Sequence, residues 1–323
     1  MTSTASDPGA KSAMLQDFHT HLLNSRRIVA LLGAGLSASS GLPTFRGAGG
    51  LWRTHDATSL ATPEAFAADP AFVWQFYSYR RHMALNAKPN PAHYALAQLA
   101  KNFSKFLTLS QNVDGLSPRA DHPTSKLKLL HGNLFDLKCT DKKCGYREPN
   151  NFTDPITPSL AIPQSGQDAT ATQPSSSTNP LIKGLDISDA QHTLPTIPKE
   201  DLPHCPQCQK SLLRPGVVWF GESLPTDVLD DVDAFFSSKE PIDLMLVIGT
   251  SSAVYPAAGY TQFARHKGAR VAVVNPDPSS GAELNEKRDW FFCEDAAKIL
   301  PEMLRPVVGD VTEIMARTGD AAR

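Results

Sequence analysis

The stretch that decides the fold is Arg27-Ile28-Val29-Ala30-Leu31-Leu32-Gly33-Ala34-Gly35-Leu36-Ser37-Ala38. A short apolar run without strict alternation is typical of a strand that is buried on both faces of a parallel sheet. The turn after it matches the G-x-G-x-x-G/A pattern, in which glycines let the backbone approach a pyrophosphate at a helix N-terminus. Taken alone, the turn fits a purely structural glycine turn about as well. No acidic residue closes a second strand about 20 residues later, which argues against an ordinary dehydrogenase.

Four more apolar runs end in small or polar residues. They are residues 105–109 before Ser110-Gln111-Asn112, 127–130 before His131-Gly132, 242–248 before Gly249-Thr250-Ser251-Ser252 and 270–274 before Asn275-Pro276. Helical patterns lie between the runs and begin at Asn90-Pro91 and at Pro225. Alternating strands and helices predict a doubly wound α/β parallel sheet with helices on both faces. Its ligand is expected at the carboxyl ends of the strands, where these polar residues follow.

Two stretches interrupt this alternation and set the expected domain boundaries. Residues 51–89 carry helix signals without a strand run, and residues 138–214 contain four paired cysteines. Within the second stretch, 163–180 lacks aromatic residues and large aliphatic residues, which predicts a flexible insert. The expected organisation is an N-terminal extension (1–24), a sheet domain (25–50, 90–137 and 215–308), a helical insertion (51–89), a metal-binding module (138–214) and a C-terminal tail (309–323).

The five cysteines divide into two close pairs and one single residue. Cys139-x4-Cys144 and Cys205-x2-Cys208 are separated by 60 residues, and Cys293 stands alone. Four converging thiolates would form a closed tetrahedral shell, which is typical of structural zinc because no position remains for water. The alternative is four buried or redox-active thiols.

Composition excludes several classes of protein. The 323 residues include 31 basic and 33 acidic side chains, so the net charge of −2 argues against nucleic-acid binding driven by charge. Hydrophobic residues make up 41%, which is enough for a sizeable core. No run approaches the ~18–20 apolar residues of a membrane span. The first residues show neither an apolar signal core nor an arginine-rich amphipathic pattern, so a secreted protein is not expected.

Polar side chains follow two of the predicted strands. Gln111-Asn112-x-Asp114 comes after one, and His131 comes after the next. A lone histidine at a strand end is more often structural than catalytic. Here it belongs to the same sheet edge as the glycine turn, which favours a general base beside a nucleotide ribose.

Together these motifs resemble the sirtuin family of NAD-dependent protein-lysine deacylases over roughly residues 27–306. The matching motifs are Gly33-Ala34-Gly35-Leu36-Ser37, Gly41-Leu42-Pro43-Thr44-Phe45-Arg46, Gln111-Asn112-Val113-Asp114, His131-Gly132, the four paired cysteines, Gly249-Thr250-Ser251 and Val273-Val274-Asn275. The resemblance implies a Rossmann-like domain, a small inserted module that holds one structural zinc ion, and a cleft between them. NAD, as a co-substrate, and an acyl-lysine protein or peptide would meet in that cleft.

The resemblance also implies individual roles. NAD would be bound by Gly33, Ala34, Gly35, Ser37, Phe45, Arg46, Gln111, Asn112, Asp114, Gly249, Thr250, Ser251 and Asn275, whereas Cys293 either borders the adenine pocket or is a plain buried thiol. Ser37, Asn112 and Asp114 would shape the nicotinamide pocket. His131 would act as the general base, and Asn112 and Asp114 would complete the catalytic group. Implied products are free lysine, nicotinamide and O-acyl-ADP-ribose.

A finer resemblance concerns the acyl group. Tyr77-Ser78-Tyr79-Arg80 and Gly47-Ala48-Gly49-Gly50 resemble the sirtuin-5-like branch, which removes malonyl, succinyl and glutaryl groups. If residues 70–86 are helical, Tyr77 and Arg80 lie on one face, and a guanidinium can bind a carboxylate in bidentate fashion. Arg81 is expected on a solvated helix face.

The substrate peptide has its own matching segment. Val218-Trp219-Phe220-Gly221-Glu222 resembles the strand that pairs with the substrate peptide, which implies contacts from Val218, Phe220, Gly221 and Glu222.

Three other functions stay open. One is a general deacetylase or decrotonylase with histones among its substrates, the second is a catalytically silent module that binds NAD or acyl-lysine, and the third is ADP-ribosyl transfer to protein. The family resemblance favours a mitochondrial location with cytoplasmic or nuclear pools, whereas the arginine-poor N-terminus argues against a strong import signal.

Overall fold

The structure, a computed structural model, describes residues 8–44, 50–163, 181, 185–250, 259–282, 284–285 and 287–321. The predicted flexible insert at 163–180 lies outside the described residues except for Pro163. Residues 45–49 also lie outside the described residues, and they include the predicted NAD-binding residues Phe45 and Arg46. The same is true of Ser251, another predicted NAD-binding residue.

The helices begin at predictable signals. Asn90 and Thr62 accept backbone N–H bonds as N-caps, and a proline follows each of them. The α-helices among the described residues are α1 (Pro8–Asn24), α2 (Ala57–Leu60), α3 (Pro63–Ala68), α4 (Pro70–Asn86), α5 (Pro91–Asn102), α6 (Leu116–Arg119), α7 (Thr226–Ser237), α8 (Gly259–His266), α9 (Ala296–Val308) and α10 (Val311–Ala321). Short 3₁₀ helices cover Ala34–Ser40, Thr124–Lys126, Pro158–Leu160, Lys199–Asp201 and Pro278–Gly281.

The strands of the large sheet are β1 (Arg27–Leu32), β4 (Lys105–Ser110), β5 (Leu127–Leu129), β9 (Leu244–Ile248), β10 (Arg270–Val274) and β11 (Trp290–Phe292). Within the described residues these six strands are all parallel and lie in the order β11-β10-β9-β1-β4-β5. The predicted doubly wound α/β fold is confirmed. The chain winds to one side of β1 through β4 and β5 and to the other side through β9, so the crevice expected for a ligand lies at the carboxyl end of β1.

A second group of strands is antiparallel. β6 (Gly132–Cys139) pairs with β7 (Arg147–Glu148) and with β8 (Leu213–Val217), and we call these three strands the small sheet. β2 (Leu51–Trp52) and β3 (His55–Asp56) form a short hairpin. Residues 51–89, which were expected to be helical, therefore contain this hairpin as well as α2, α3 and α4.

Apolar side chains cover both faces of the large sheet. Phe18 of α1, Leu96 of α5 and Leu300 of α9 belong to one fully buried cluster. Val232 of α7 and Ala264 of α8 belong to the cluster on the opposite face. Because Phe18 lies in this core, α1 is part of the sheet domain rather than a separate extension.

The observed boundary between the sheet domain and the small module also differs from the predicted one. Residues 132–137 were assigned to the sheet domain, but they lie in β6 and pair with β8. α4 packs on the same small sheet, where the Trp74 indole N–H donates to the Leu213 carbonyl at 2.9 Å. Trp74, Phe135 and Leu213 lie in one apolar cluster, so α4 and the small sheet share a core.

The C-terminal residues 309–323 were expected to form a tail. Instead, α10 begins at Val311, which is buried in the same cluster as Phe18. Among the described helices, none combines the length and the apolar character that crossing a membrane requires.

Candidate active site

Two loops cross at the carboxyl edge of the large sheet with backbone against backbone. The N–H of Gly33 donates to the Ile248 carbonyl and that of Gly35 to the Gly249 carbonyl, both at 2.9 Å. A Cβ on Gly35 would lie 2.7 Å from the Cα of Gly249, and one on Gly249 would lie 2.3 Å from the Leu36 nitrogen. Gly249 also has a φ of +60°, which favours glycine. The glycine pattern therefore has a packing role, and any pyrophosphate would use other donors of these loops.

Amide side chains join these loops to their neighbours. The Asn112 Nδ2 donates to the Gly33 carbonyl at 2.9 Å. On the opposite side, the Asn275 Nδ2 donates to the Thr250 carbonyl at 3.2 Å. Ala34 follows Gly33 at the start of the 3₁₀ helix. The structure thus brings the predicted residues of four strand ends to one edge.

His131 follows β5, and a hydrogen bond fixes the orientation of its imidazole ring. Its Nδ1 donates to the Gln111 carbonyl at 3.1 Å, an assignment that follows from the carbonyl being only an acceptor. The neutral ring then has an unprotonated Nε2. Burial lowers the pKa of His131, and the bond to Gln111 opposes this shift. The imidazole is therefore a neutral base at physiological pH.

Ser37 and Asp114 meet in the wall of a cleft. The Ser37 hydroxyl donates to Asp114 Oδ2 at 2.7 Å, and the Leu116 N–H donates to Asp114 Oδ1 at 2.9 Å. The cleft is open to solvent on one side. Its lining residues are Ala34, Ser37, Leu42, Pro43, Arg80, Met83, Ala84, Asn112, Val113, Asp114 and Leu134. The predicted nicotinamide-pocket residues and one predicted acyl-recognition residue thus line the same cavity.

The two predicted acyl-recognition residues differ in position, although both lie on α4 as expected. Arg80 is half-buried in the cleft wall, and its guanidinium carbon lies 5.4 Å from the Phe76 ring centre. Tyr77 is fully buried, and its hydroxyl accepts the Trp219 indole N–H at 2.8 Å. The Tyr77 hydroxyl proton remains for another acceptor.

Arg81 does not lie on a solvated face, and that expectation was wrong. It is 1% exposed, and its guanidinium donates to the carbonyls of Leu134, Asn151 and Thr153 at 2.6, 2.7 and 3.1 Å. Three carbonyls satisfy the buried charge, so Arg81 fastens α4 to the small module. The two arginines adjacent in sequence thus face different surroundings.

The segment 218–222 leaves β8 as a turn rather than as a continuing strand, because β8 ends at Val217. The N–H of Val218 donates to the His131 carbonyl at 2.9 Å, and that of Phe220 donates to the Ala61 carbonyl at 2.9 Å. The Phe220 side chain is 47% exposed. This turn therefore connects the predicted base to the helical insertion and leaves an aromatic ring at the surface.

Glu222 is engaged within the chain. Its carboxylate accepts hydrogen bonds from both terminal nitrogens of Arg214, at 2.6 and 2.9 Å, and from the backbone N–H of Trp219 at 2.9 Å. Gly221, with a φ of +85°, allows the chain to turn back to make this ion pair. Glu222 therefore shapes the turn, and a direct contact with a peptide stays a prediction.

The four paired cysteines converge beside β6 and β8. Their sulfurs lie within 4.8 Å of one another, with 3.8 Å between Cys139 and Cys208 and 3.7 Å between Cys144 and Cys205. Four thiolates at about 2.3 Å from one Zn²⁺ have sulfur–sulfur separations of about 3.8 Å. The donor set and spacing fit one tetrahedral zinc ion. Cys293, in contrast, lies 3.5 Å from the Pro276 carbonyl just after β11.

Comparison with known proteins agrees with this geometry. A profile described as the Sir2 family matches residues 33–256. The chain belongs to the Sir2 family. An NAD-dependent protein deacylase of Candida albicans is 48% identical over 303 residues, which is 92% of this chain and 99% of that protein. The mitochondrial NAD-dependent protein deacylase sirtuin-5A of Xenopus laevis is 42% identical over 269 residues, 82% of this chain and 77% of that protein.

A solved structure of a Sir2 homologue in complex with NAD has the same fold. It is 33% identical, covers 90% of this chain and 93% of its own, and superposes with a TM-score of 0.67. The crossing of Gly33 and Gly249 leaves room only for backbone, and amides and a carboxylate line the cleft beside it. These residues fit NAD, as expected for a member of the Sir2 family.

Sequence reasoning missed two residues that contact the 3₁₀ helix beside this predicted site, Asn90 and His93. Asn90 was interpreted as a helix cap only, but its Nδ2 also donates to the Leu36 carbonyl at 2.8 Å. His93 lies three residues later and is 2% exposed beside Ser37. The signal was available, because a cap followed by a polar residue at the third helical position forms a capping box.

Proposed function

We propose that this member of the Sir2 family removes acidic acyl groups, namely malonyl, succinyl and glutaryl, from lysines of proteins. The broader activity follows from the family and its relatives, and the chain is an NAD-dependent protein deacylase. The observation that carries the finer proposal is the position of Arg80, whose side chain lines the same cleft as Asn112 and Asp114. A cation in that wall can bind a carboxylate at the far end of an acyl chain.

Arg80 keeps its charge in this position. Burial lowers the pKa of Arg80, and the nearby Tyr77 and Asp114 oppose the shift. An arginine so placed stays protonated in a protein. Arg80 is therefore a permanent cation with a planar fork of donors, which is the side chain best suited to a carboxylate.

His131 supplies the base. Its Nδ1–H is engaged by Gln111, so its Nε2 can take a proton from a ribose hydroxyl of bound NAD. NAD, when bound, supplies the ribose that accepts the acyl group and the nicotinamide that leaves. Asn112, fixed on the Gly33 carbonyl, and Asp114, fixed by Ser37, would orient the nicotinamide end. One water molecule is consumed, and the products are the free lysine, nicotinamide and O-acyl-ADP-ribose.

The zinc site serves structure. A closed shell of four thiolates leaves no position for water, so bound zinc would cross-link β6 to the Cys205–Cys208 turn without taking part in the chemistry. The turn 218–222 follows β8 of the same module, and we propose that Val218, Phe220 and Gly221 contact the substrate peptide there.

The test is NAD-dependent turnover of matched acetyl-, crotonyl-, malonyl- and succinyl-lysine peptides, followed by mass spectrometry. Arg80→Met should lower kcat/KM for the succinyl and malonyl peptides about ten- to hundredfold, the range expected for losing a charge-assisted hydrogen bond. The acetyl and crotonyl peptides should change by less than about threefold. Tyr79→Phe is the control on the same helix, because the Tyr79 hydroxyl bonds Ser188 instead, and it should affect all four peptides alike.

One observation favours the alternative of a general deacetylase or decrotonylase with histones among its substrates. Tyr77 is fully buried and is not among the residues that line the cleft, which leaves Arg80 to recognise a carboxylate without it. Equal turnover of acetyl and succinyl peptides, with no response to Arg80→Met, would establish this alternative. NAD binding without turnover would indicate a silent module, and transfer of label from NAD to protein would indicate ADP-ribosylation.

We propose a mitochondrial location because the sirtuin-5A relative is labelled mitochondrial. Cytoplasmic and nuclear pools stay predictions. Fractionation of cells that express the tagged chain would test all three.

A further inference from the structure

We propose that His93 is a positioning residue for the nicotinamide end of the NAD site, because it fixes the hydroxyl of Ser37 and, through Ser37, the carboxylate of Asp114. The inference rests on the proposed function, since it concerns how the deacylase holds its co-substrate. His93 contributes from α5, one layer behind the cleft, and it is not among the residues that line the cleft.

The capping box of α5 determines which nitrogen of His93 carries the proton. The backbone N–H of Asn90 donates to His93 Nδ1 at 3.2 Å. An N–H can only donate, so Nδ1 is the acceptor and the neutral ring carries its proton on Nε2. A local feature that starts a helix thereby sets the tautomer of a side chain in the site.

The protonated nitrogen faces Ser37. His93 Nε2 lies 3.5 Å from Ser37 Oγ, and the Ser37 hydroxyl in turn donates to Asp114 Oδ2 at 2.7 Å. Each donor in this chain points towards the carboxylate, from Asn90 through His93 and Ser37 to Asp114. If the Ser37 hydroxyl donated to His93 instead, Nε2 would have to be unprotonated, which the bond from Asn90 prevents.

Burial keeps this arrangement in one state. His93 and Ser37 are each 2% exposed. Burial lowers the pKa of His93 to about 4, so the ring stays neutral through the physiological range. Asn90 adds a second connection, because its Nδ2 donates to the Leu36 carbonyl at 2.8 Å and to Ser40 Oγ at 3.1 Å. The backbone on both sides of Ser37 is thus fixed to the same helix start.

The consequence for a ligand is a defined set of acceptors. Ser37 Oγ has two lone pairs, and His93 occupies one of them. Ser37 and Asp114 both line the cleft, so the remaining lone pair and the Asp114 carboxylate would accept the two N–H groups of a carboxamide such as that of nicotinamide. Without the His93 donor, the Ser37 hydroxyl could rotate and this match would weaken.

The experiment compares two variants of nearly equal size. His93→Asn retains an acceptor near the Nδ1 position for the Asn90 N–H but loses the donor at Nε2. His93→Gln retains a donor near Nε2, and glutamine is also a preferred capping-box residue at this helical position. Calorimetric titration measures the Kd for NAD and for ADP-ribose, which lacks nicotinamide and therefore serves as the matched ligand.

In His93→Asn, the Kd for NAD should rise about three- to tenfold, as expected for the loss of one hydrogen bond, while the Kd for ADP-ribose changes by less than about twofold. His93→Gln should restore NAD binding. In a Ser37→Ala background, His93→Asn should have no further effect on the ratio of the two constants. Equal weakening of both ligands, no weakening of either, or a His93→Gln variant that behaves as His93→Asn would overturn the proposal.

A measurement on the unsubstituted protein covers the case of an unstable variant. The ¹⁵N shifts of labelled histidine should show His93 protonated at Nε2 and unprotonated at Nδ1 from about pH 5.5 to 8, and the opposite tautomer would refute the role. Failure of the wild-type protein to bind NAD would contradict the proposed function itself. If the protein binds NAD but substitution of His93 leaves the ratio of the two Kd values unchanged, only this inference is contradicted.

Discussion

The proposed NAD side and the proposed acyl side of the cleft are built from different parts of the chain. On the NAD side, Gly33, Gly35 and Gly249 cross with backbone against backbone, and no side chain fits between them. On the proposed acyl side, α4 presents the side chain of Arg80 to the cleft, and the ring of Tyr77 is buried next to it. A backbone-built wall can change only by rebuilding the fold. A wall of side chains can change its ligand by single substitutions, so we expect specificity to reside in α4.

Gly249→Ala should have the largest effect of any substitution that tests this contrast. The new Cβ would lie 2.3 Å from the Leu36 nitrogen, and the φ of +60° is itself unfavourable for alanine. We expect a loss of about 4 kcal/mol or more in the free energy of unfolding, which is enough to unfold many proteins. Chemical denaturation followed by circular dichroism measures it.

Gly145→Ala is the matched control for Gly249→Ala. Gly145 also has a positive φ, +69°, but nothing lies within 4 Å of its added Cβ. It should lose only about 1–2 kcal/mol from the backbone conformation. Equal losses in the two variants would mean that the crossing of the loops contributes nothing beyond the backbone dihedral angle.

The next largest effect should come from removing a cysteine of the predicted zinc shell. Cys144→Ala should lose the metal and loosen the small sheet, and with it the packing of α4 on the acyl side. Cys293 lies outside the cluster, so Cys293→Ala is the control. Elemental analysis should find one zinc ion per chain in this variant. Limited proteolysis should then cut the small module of Cys144→Ala first. A variant that keeps its zinc and its resistance would contradict the four-thiolate site.

The fold around the proposed NAD side could be predicted from the sequence because that region depends on local patterns, although the contacts of Asn90 and His93 beside it were missed. Apolar runs that end in glycine or amide residues identified β1, β4, β5, β9 and β10 and their carboxyl edge. β11, only three residues long, carried too short a pattern to be recognised. Thiol spacing likewise identified the cysteine cluster, since pairs of close cysteines need few other contacts to converge.

The acyl side was less predictable because it depends on contacts between distant residues. Nothing in the sequence near Arg81 indicates that Leu134, Asn151 and Thr153 turn their carbonyls towards it. The same applies to the indole of Trp219, which reaches Tyr77 across 142 positions. Helical spacing predicted which side chains of α4 share a face. The contacts of that face depend on tertiary packing, which the spacing does not show.

Arg80 and Arg81 offer a sharper comparison within the acyl side. Arg81→Met should lower the free energy of unfolding by about 3 kcal/mol, because buried carbonyls lose their donor. Its acyl preference should be unchanged in the protein that remains folded. Arg80→Met should show the reverse, with altered preference and a smaller loss of stability. If both variants changed stability equally, the two arginines would share a structural role.

The pH dependence of turnover tests the proposed base, His131. Burial lowers the pKa of His131 below the 6.5 of an ordinary histidine, so Nε2 stays unprotonated to lower pH. The acid limb of kcat/KM should therefore have its midpoint below 6.5, and His131→Ala should lose this limb along with about 10²–10⁴-fold of the rate. A limb centred above 6.5 would contradict a buried neutral base.

Stability must be followed in the same titration, because two other histidines act in the same direction. Burial lowers the pKa of His93 and of His122 to about 4, whereas the unfolded chain titrates at the ordinary 6.5. The unfolded state therefore binds more protons between these values, and stability falls as the pH drops from 6.5 towards 4. His122→Asn, remote from the cleft lining, should reduce this fall while leaving the acid limb of turnover in place. If the limb moved with stability instead, it would report unfolding rather than protonation of His131.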